Sequence, residues 1–279
     1  MSTTDKEDAA AAPVVPPWDS FVAIGDSFTE GMTDALEDGS DDPLYVGWAD
    51  RLAMEISRRR IAAGQEPLKY ANLAIRGKLI GQVNREQLDA AIMMKPALMS
   101  IIAGGNDMIR PGSSADKVTT LLEEMVVKVR AHGIEVLLCA HYAPRHSPVL
   151  ELTRPTVAIF NSNLWSIARR HGCYVMDQWG LRSLNDTAIW APDRLHLTGE
   201  GHQIMMNAAL EALGQPIVDA DYQTPAPAGK DRFAASENIA WVKDHLWPWV
   251  KRHSRGRSSG DGRSPKYPQL VPVTDDFLE

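Results

Sequence analysis

The chain is poor in cysteine, with only Cys139 and Cys173 among 279 residues. That excludes a small scaffold stapled by several bridges, which needs a larger and even set. Each cysteine lies in an apolar run, Val136 to Ala140 and Cys173 to Met176, that reads as a buried strand. Two inert core thiols are the plain reading, and a single disulfide is the alternative. Long apolar stretches are also missing: no run reaches the ~18 residues a membrane-crossing helix needs. Excess positive charge is missing too. The 29 Lys and Arg face 36 Asp and Glu, for a net charge of −7. A nucleic-acid partner would call for clustered cations, so none is expected. The N-terminus lacks the basic start and apolar core of an export signal. Residues 1–18 instead hold Asp5, Lys6, Glu7 and Asp8, an alanine run, and Pro13, Pro16 and Pro17. This segment is expected to be a disordered leader on a cytoplasmic protein. No internal repeat is present.

What remains is an ordinary globular composition, 44% apolar and 23% charged. The length suits one domain with flanking segments. Five short apolar runs read as strands: Phe21 to Ile24, Lys69 to Leu73, Ala97 to Ala103, Ile134 to Ala140 and Cys173 to Asp177. They do not alternate apolar and polar, as befits strands buried on both faces. Helical stripes lie among them: Trp48, Leu52 and Ile56; Val118, Leu122, Met125 and Val129; Val157, Phe160, Leu164 and Ile167; Ile204, Met205 and Ala208. Gly133 and Gly172 follow two of these stripes, where helix ends favour glycine. Strand and helix in alternation imply an α/β sandwich of three layers around a five-stranded parallel sheet. We expect the main domain over residues 19–213 and a C-terminal extension over 214–279. Within the extension, 214–236 reads as a strap and Ile239 to Val250 as a short Trp-rich helix. Residues 251–266, with six Lys or Arg against one Asp, read as a mobile basic tail.

In such sheets ligands bind beyond the carboxyl ends of the strands. Those ends carry Gly25-Asp26-Ser27, Ala74 to Gly77, Gly104 to Asp107 and, across a longer loop, Asp193 to His196. A serine hydroxyl needs a base to become a nucleophile, and a neutral imidazole suits that task. The imidazole needs a carboxylate on its other nitrogen, and Asp193 stands one turn before His196. An oxyanion needs aimed donors. The N–H of Ser27, the N–H of Gly77 and the side-chain amide of Asn106 can supply them. Asp26 and Asp107 read as supports that tie their loops. Ser27 alone could merely cap a helix, and Asn106-Asp107 could be a simple turn pair. Their company argues otherwise.

These four segments resemble the blocks of the SGNH hydrolases, also called the GDSL family of esterases and lipases. The first block matches Gly25-Asp26-Ser27. The second, an Asn followed five residues on by Gly, matches Asn72 and Gly77. Gly-x-Asn-Asp matches Gly104 to Asp107, and Asp-x-x-His matches Asp193 and His196. The resemblance implies a flavodoxin-like fold with strand order 2-1-3-4-5. It also implies a serine esterase, with an acyltransferase or a catalytically silent binding protein as alternatives. The substrate would be a small or lipid-like ester. Ala74, Arg76 and Phe28 depart from the family's usual residues and bear on substrate preference. An α/β-hydrolase is rejected, because Gly25-Asp26-Ser27-Phe28-Thr29 lacks the second glycine of its elbow and follows only one strand.

No cofactor and no metal are expected. His141 and His146 border the same sheet edge without a third ligand at convincing spacing, and read as pocket wall. His202 reads as a packed helix residue. The acidic run Asp34, Glu37, Asp38, Asp41 and Asp42 lacks the spacing of a calcium loop and reads as a solvated loop over the site. The Trp-rich tail is expected to pack on the domain, with contact to a membrane surface as the alternative. The sequence does not decide the oligomeric state.

Overall fold

A computed structural model describes residues 14–36, 43–110, 112–142, 148–224, 235–248 and 258–278. The elements run β1 (Ser20–Gly25), α1 (Ser27–Glu30), α2 (Trp48–Ala62), β2 (Lys69–Asn72) and α3 (Ile80–Val83). After α3 a π-helical turn over Asn84–Leu88 leads into α4 (Asp89–Met93). Then come β3 (Leu98–Ile102), α5 (Gly105–Met108), α6 (Ala115–Arg130), β4 (Glu135–Ala140), α7 (Pro148–Glu151) and α8 (Arg154–His171). The order closes with β5 (Tyr174–Asp177), α9 (Gly199–Ala212), α10 (Ala235–Trp241) and β6 (Tyr267–Pro272).

Among the described residues the sheet has six strands, in the order β5-β4-β3-β1-β2-β6. The first five are parallel and stand in the expected order, with β1 between β2 and β3. Every residue of β1 and β3 is buried, which is why these runs do not alternate. Their side chains divide between two cores. Phe21 and Ala23 point to the layer of α2 and α9, against Trp48, Leu52, Ile56 and Met205. Val22 and Ile24 point to the layer of α3, α4, α6 and α8, against Leu88, Leu122, Val129 and Phe160. Trp48, Leu52 and Ile56 are each fully buried. Truncating such a side chain typically costs about 2–5 kcal/mol. The α8 stripe ends at Gly172 in the left-handed conformation, with φ 64°.

The five-strand expectation is corrected by β6. It runs antiparallel to β2, with Lys69 opposite Pro272, Tyr70 opposite Val271 and Asn72 opposite Tyr267. Pro268 and Pro272 hid it, since proline cannot donate to a ladder and is confined to sheet edges. The residues leading into it are not loose either. Lys266 inserts its ammonium between Glu30 O (2.7 Å), Tyr45 O (2.8 Å) and Asp50 Oδ2 (2.5 Å). Asp50 also accepts from Gly47 N–H and the Tyr70 hydroxyl. Ser57 Oγ donates to Val273 O at 2.6 Å, and Phe277 packs on Tyr267 and Tyr70. The extension is thus sewn to α1, α2 and β2. Of the leader expected over 1–18 and the basic tail expected over 251–266, residues 1–13 and 251–257 lie outside the described residues. Cys139 and Cys173 are free thiols.

Candidate active site

β1 ends at Gly25, where the chain turns toward the sheet edge with φ 155°. A Cβ there would stand 2.2 Å from Ile102 O on β3, so only glycine fits. The Gly25 backbone is gripped by a buried amide: Gln87 Oε1 accepts its N–H (2.8 Å) and Gln87 Nε2 donates to its carbonyl (2.9 Å). Sequence reasoning missed Gln87, which is 62 residues away on the π-helical turn. Asp26 follows and caps α1, with Oδ1 accepting the Phe28 N–H at 3.1 Å. Ser27 is the first residue of that helix rather than its cap.

The Ser27 hydroxyl lies 2.8 Å from His196 Nε2. His196 Nδ1 lies 2.5 Å from Asp193 Oδ2. Asp193 Oδ1 accepts the N–H groups of Leu195 and His196, both at 3.0 Å, which closes the one-turn loop expected from their spacing. Thr198 caps α9 just beyond. A bridge between Trp190 and Leu197 pins the loop to the chain before it, and Tyr142 packs on Trp190 at 4.9 Å to form an aromatic wall.

Gly77 occupies the turn after β2 with φ 75°. The residue before it, Arg76, turns its guanidinium onto the Glu30 carboxylate and over the Tyr45 ring. Its N–H also donates to Glu30 Oε2 at 2.6 Å. Neither the Gly77 N–H nor the Ser27 N–H finds an acceptor among the described residues. Asn72 is fully buried and structural: its amide donates to Thr29 O and the Tyr70 hydroxyl, both at 2.9 Å. Asn106 Nδ2 donates to Asp26 Oδ2 and to Lys78 O, both at 3.1 Å. Asp107 accepts the Ile80 N–H at 2.9 Å. The structure therefore brings Ser27, His196 and Asp193 into one line and joins Asp26 to Asn106, while Asp107 ties the start of α3.

A family model for the GDSL-like lipase/acylhydrolase family matches residues 23–204. The chain belongs to this family. It is a carboxylic ester hydrolase, and its substrates are esters. Solved structures agree in fold. Axe2, an acetyl xylan esterase from Geobacillus stearothermophilus, superposes with a TM-score of 0.59 at 20% identity, over 72% of this chain and 97% of that one. LAE5, an alpha/beta hydrolase enzyme from the metagenome of Lake Arreo, Spain, gives 0.58 at 22% identity, over 70% and 95%. Solved catalytic mutants of the Geobacillus enzyme replace a serine, an aspartate and a histidine by alanine. No curated protein matches in sequence.

The GDSL-type strand ends set a distinct electrostatic pattern. Burial raises the Asp26 carboxyl to about 6, against the opposing pull of the Phe28 N–H and His196. Burial also pushes Asp193 upward, but the hydrogen bond and charge of His196, with two backbone N–H groups, outweigh it and hold the carboxyl at about 2. Asp107 is raised by burial. His141 follows β4, packs on Phe160 at 5.0 Å and is lowered to about 4 by burial. His202 is buried between the Trp48 N–H, which donates to Nδ1, and Met32 O, and burial lowers it to about 3. It is a packed residue, as expected. His146, Glu37, Asp38, Asp41 and Asp42 lie outside the described residues, and Asp34 pairs with Arg51 on α2. Among the described residues no cluster of His, Cys, Asp and Glu could hold a metal ion, and no helix is long and apolar enough to cross a membrane. A cleft of about 280 Å³ lined by Leu79, Ile80, Val118 and Leu121 opens beside Asp107.

Proposed function

We propose that this esterase works through an acyl-serine, with Ser27 as nucleophile, His196 as base and Asp193 as its partner. The observation that carries the reading is the unbroken run from Asp193 Oδ2 through His196 to Ser27 Oγ, with steps of 2.5 and 2.8 Å. In the resting state Nδ1–H of His196 donates to Asp193, which leaves Nε2 to accept the Ser27 hydroxyl. Ser27 Oγ then attacks the ester carbonyl carbon as its proton passes to Nε2. The oxyanion forms beside the N–H groups of Ser27 and Gly77 and the Asn106 amide. Asp26 and Lys78 O aim that amide, and one of the two bonds is shared with the oxyanion when it forms. Collapse expels the alkoxide, which takes the proton from Nε2. Water, deprotonated by the same nitrogen, attacks the acyl-serine and frees Ser27 with the carboxylic acid. Losing one oxyanion donor would raise the barrier by about 3 kcal/mol.

Short acyl esters are the first substrates to try, given the acetyl esterase among the structural neighbours. Hydrolysis of p-nitrophenyl acetate should vanish in Ser27→Ala, and fluorophosphonate should label the wild type at Ser27 only. Equal rates for the two proteins would overturn the reading.

A further inference from the structure

The line from Ser27 to Asp193 does not stop at the carboxylate. The indole Nε1 of Trp241 donates to the backbone carbonyl of Asp193 at 2.7 Å. Trp241 belongs to α10, in the extension, beyond residues 23–204 where the family model matches. Its surroundings single it out. Ile239 is 74% exposed and Val242 41%, yet Trp241 is 3% exposed. Trp241 is thus the buried side chain of this helix among the described ones, and it ends on Asp193.

The peptide it holds is a demanding one. Arg194 has φ 58°, a left-handed conformation that costs a non-glycine residue about 1 kcal/mol or more. That conformation lets the chain fold back so that Asp193 Oδ1 receives the N–H groups of Leu195 and His196. The peptide between Asp193 and Arg194 is fixed at both ends: the Arg194 N–H donates to Ala191 O at 2.8 Å, and the carbonyl receives Trp241. The same helix also holds the Arg194 side chain. Its guanidinium lies 5.4 Å from the Trp241 ring, and Nη1 donates to Asn238 Oδ1 at 2.5 Å.

We infer that Trp241 is a positioning residue for Asp193: it fixes the strained peptide that aims the carboxylate at His196 Nδ1. The inference rests on the proposed role of Asp193. Without the indole N–H, the peptide relaxes, the carboxylate leaves its line and the imidazolium formed during attack loses its partner. The rate of the chemical step falls, while substrate binding does not.

The test replaces Trp241 by Phe and, in a second protein, by benzothienylalanine, which keeps the bicyclic shape and lacks the N–H. The second variant covers the case in which the first fails to fold. Both should lose about tenfold in kcat, the worth of one hydrogen bond, with KM unchanged. The acid limb of the kcat/KM profile should move to lower pH, because a displaced carboxylate supports the imidazolium less. In an Asp193→Ala background the same replacements should change kcat no further. Arg194→Gly, which relaxes the backbone strain, should restore part of the rate to Trp241→Phe. Wild-type kcat and pH profile in the benzothienylalanine protein would overturn the inference. So would a full further loss in the Asp193→Ala background. Activity retained in Ser27→Ala would instead overturn the reading on which it rests.

Discussion

Glu30 and Arg76 join the helix that carries Ser27 to the turn that carries Gly77. The Glu30 carboxylate accepts both the guanidinium and the backbone N–H of Arg76. Both side chains are largely buried, Arg76 at 7% and Glu30 at 12% exposure. The pair therefore sets the distance between Ser27 and the Gly77 amide.

Glu30→Ala should cost about 3–5 kcal/mol, because it strands a buried guanidinium. Urea denaturation measures the loss. Acyl transfer at saturating ester should also slow as the Gly77 turn loosens. A variant of unchanged midpoint and unchanged kcat would show that the pair is idle.

Gly77→Ala should abolish most activity. The turn needs φ 75°, and a Cβ would lie 2.1 Å from Ser258 Oγ. Adding Ser258→Gly removes that overlap but leaves the backbone strain, worth about 1–2 kcal/mol. Steady-state kinetics on both proteins should therefore show partial recovery only. Full recovery in the double variant would mean that crowding by the tail, not the turn's conformation, sets the demand for glycine.

Stability should respond to pH through groups of opposite sign. His202 is lowered from 6.5 to about 3, so its contribution is complete above its unfolded value and is lost as pH falls toward 3. Asp26 is raised from 3.8 to about 6, so its contribution is complete below 3.8 and is lost as pH rises through 6. Asp193, held at about 2, loses its contribution only as pH falls below 3.8. Between about pH 7.5 and about pH 4.5, His202→Gln should lose less stability than the wild type, and Asp26→Asn should lose more. Parallel urea midpoints for all three proteins would contradict both assignments.

Lys266→Met should destabilise by about 3–5 kcal/mol, since Asp50 is left without its cation. Among the described residues, the Tyr70 hydroxyl and the Gly47 N–H would then be its remaining donors. Lys266→Met combined with Asp50→Asn should recover part of the loss. A single variant within about 1 kcal/mol of the wild type would show that the pair adds nothing.

The five parallel strands were legible because strands buried on both faces write themselves as continuous apolar runs, as Phe21 to Ile24 does. Ser27, Gly77 and Asn106 were legible as candidates because each stands just beyond such a run, and Asp193 and His196 because they follow one across a longer loop. β6 was not, since Pro268 and Pro272 argue against a ladder and only the exposed edge of β2 permits them. Gln87 and Glu30 were missed for another reason, and Trp241, expected to pack on the domain as it does, was not linked to Asp193. They act on Gly25, Arg76 and Asp193 across 62, 46 and 48 residues. Periodicity reports which face a residue takes, not which distant backbone group its polar end will meet. Asn106 was named for its oxyanion chemistry, but its bonds to Asp26 and Lys78 emerge only from the folded loops.

The seat of Lys266 has a consequence for how the molecule is made. Asp50 is placed 216 residues before the ammonium that neutralises it. At ~5–20 residues per second, a ribosome would expose that carboxylate roughly 10–40 s ahead of its counter-ion. Over that interval the nascent sheet has an open edge at β2 and a charged hole under it. A translation product cut short before Lys266 would keep Ser27, Asp193 and His196. It would lack the lock, and so present to chaperones and proteases as an unfinished enzyme.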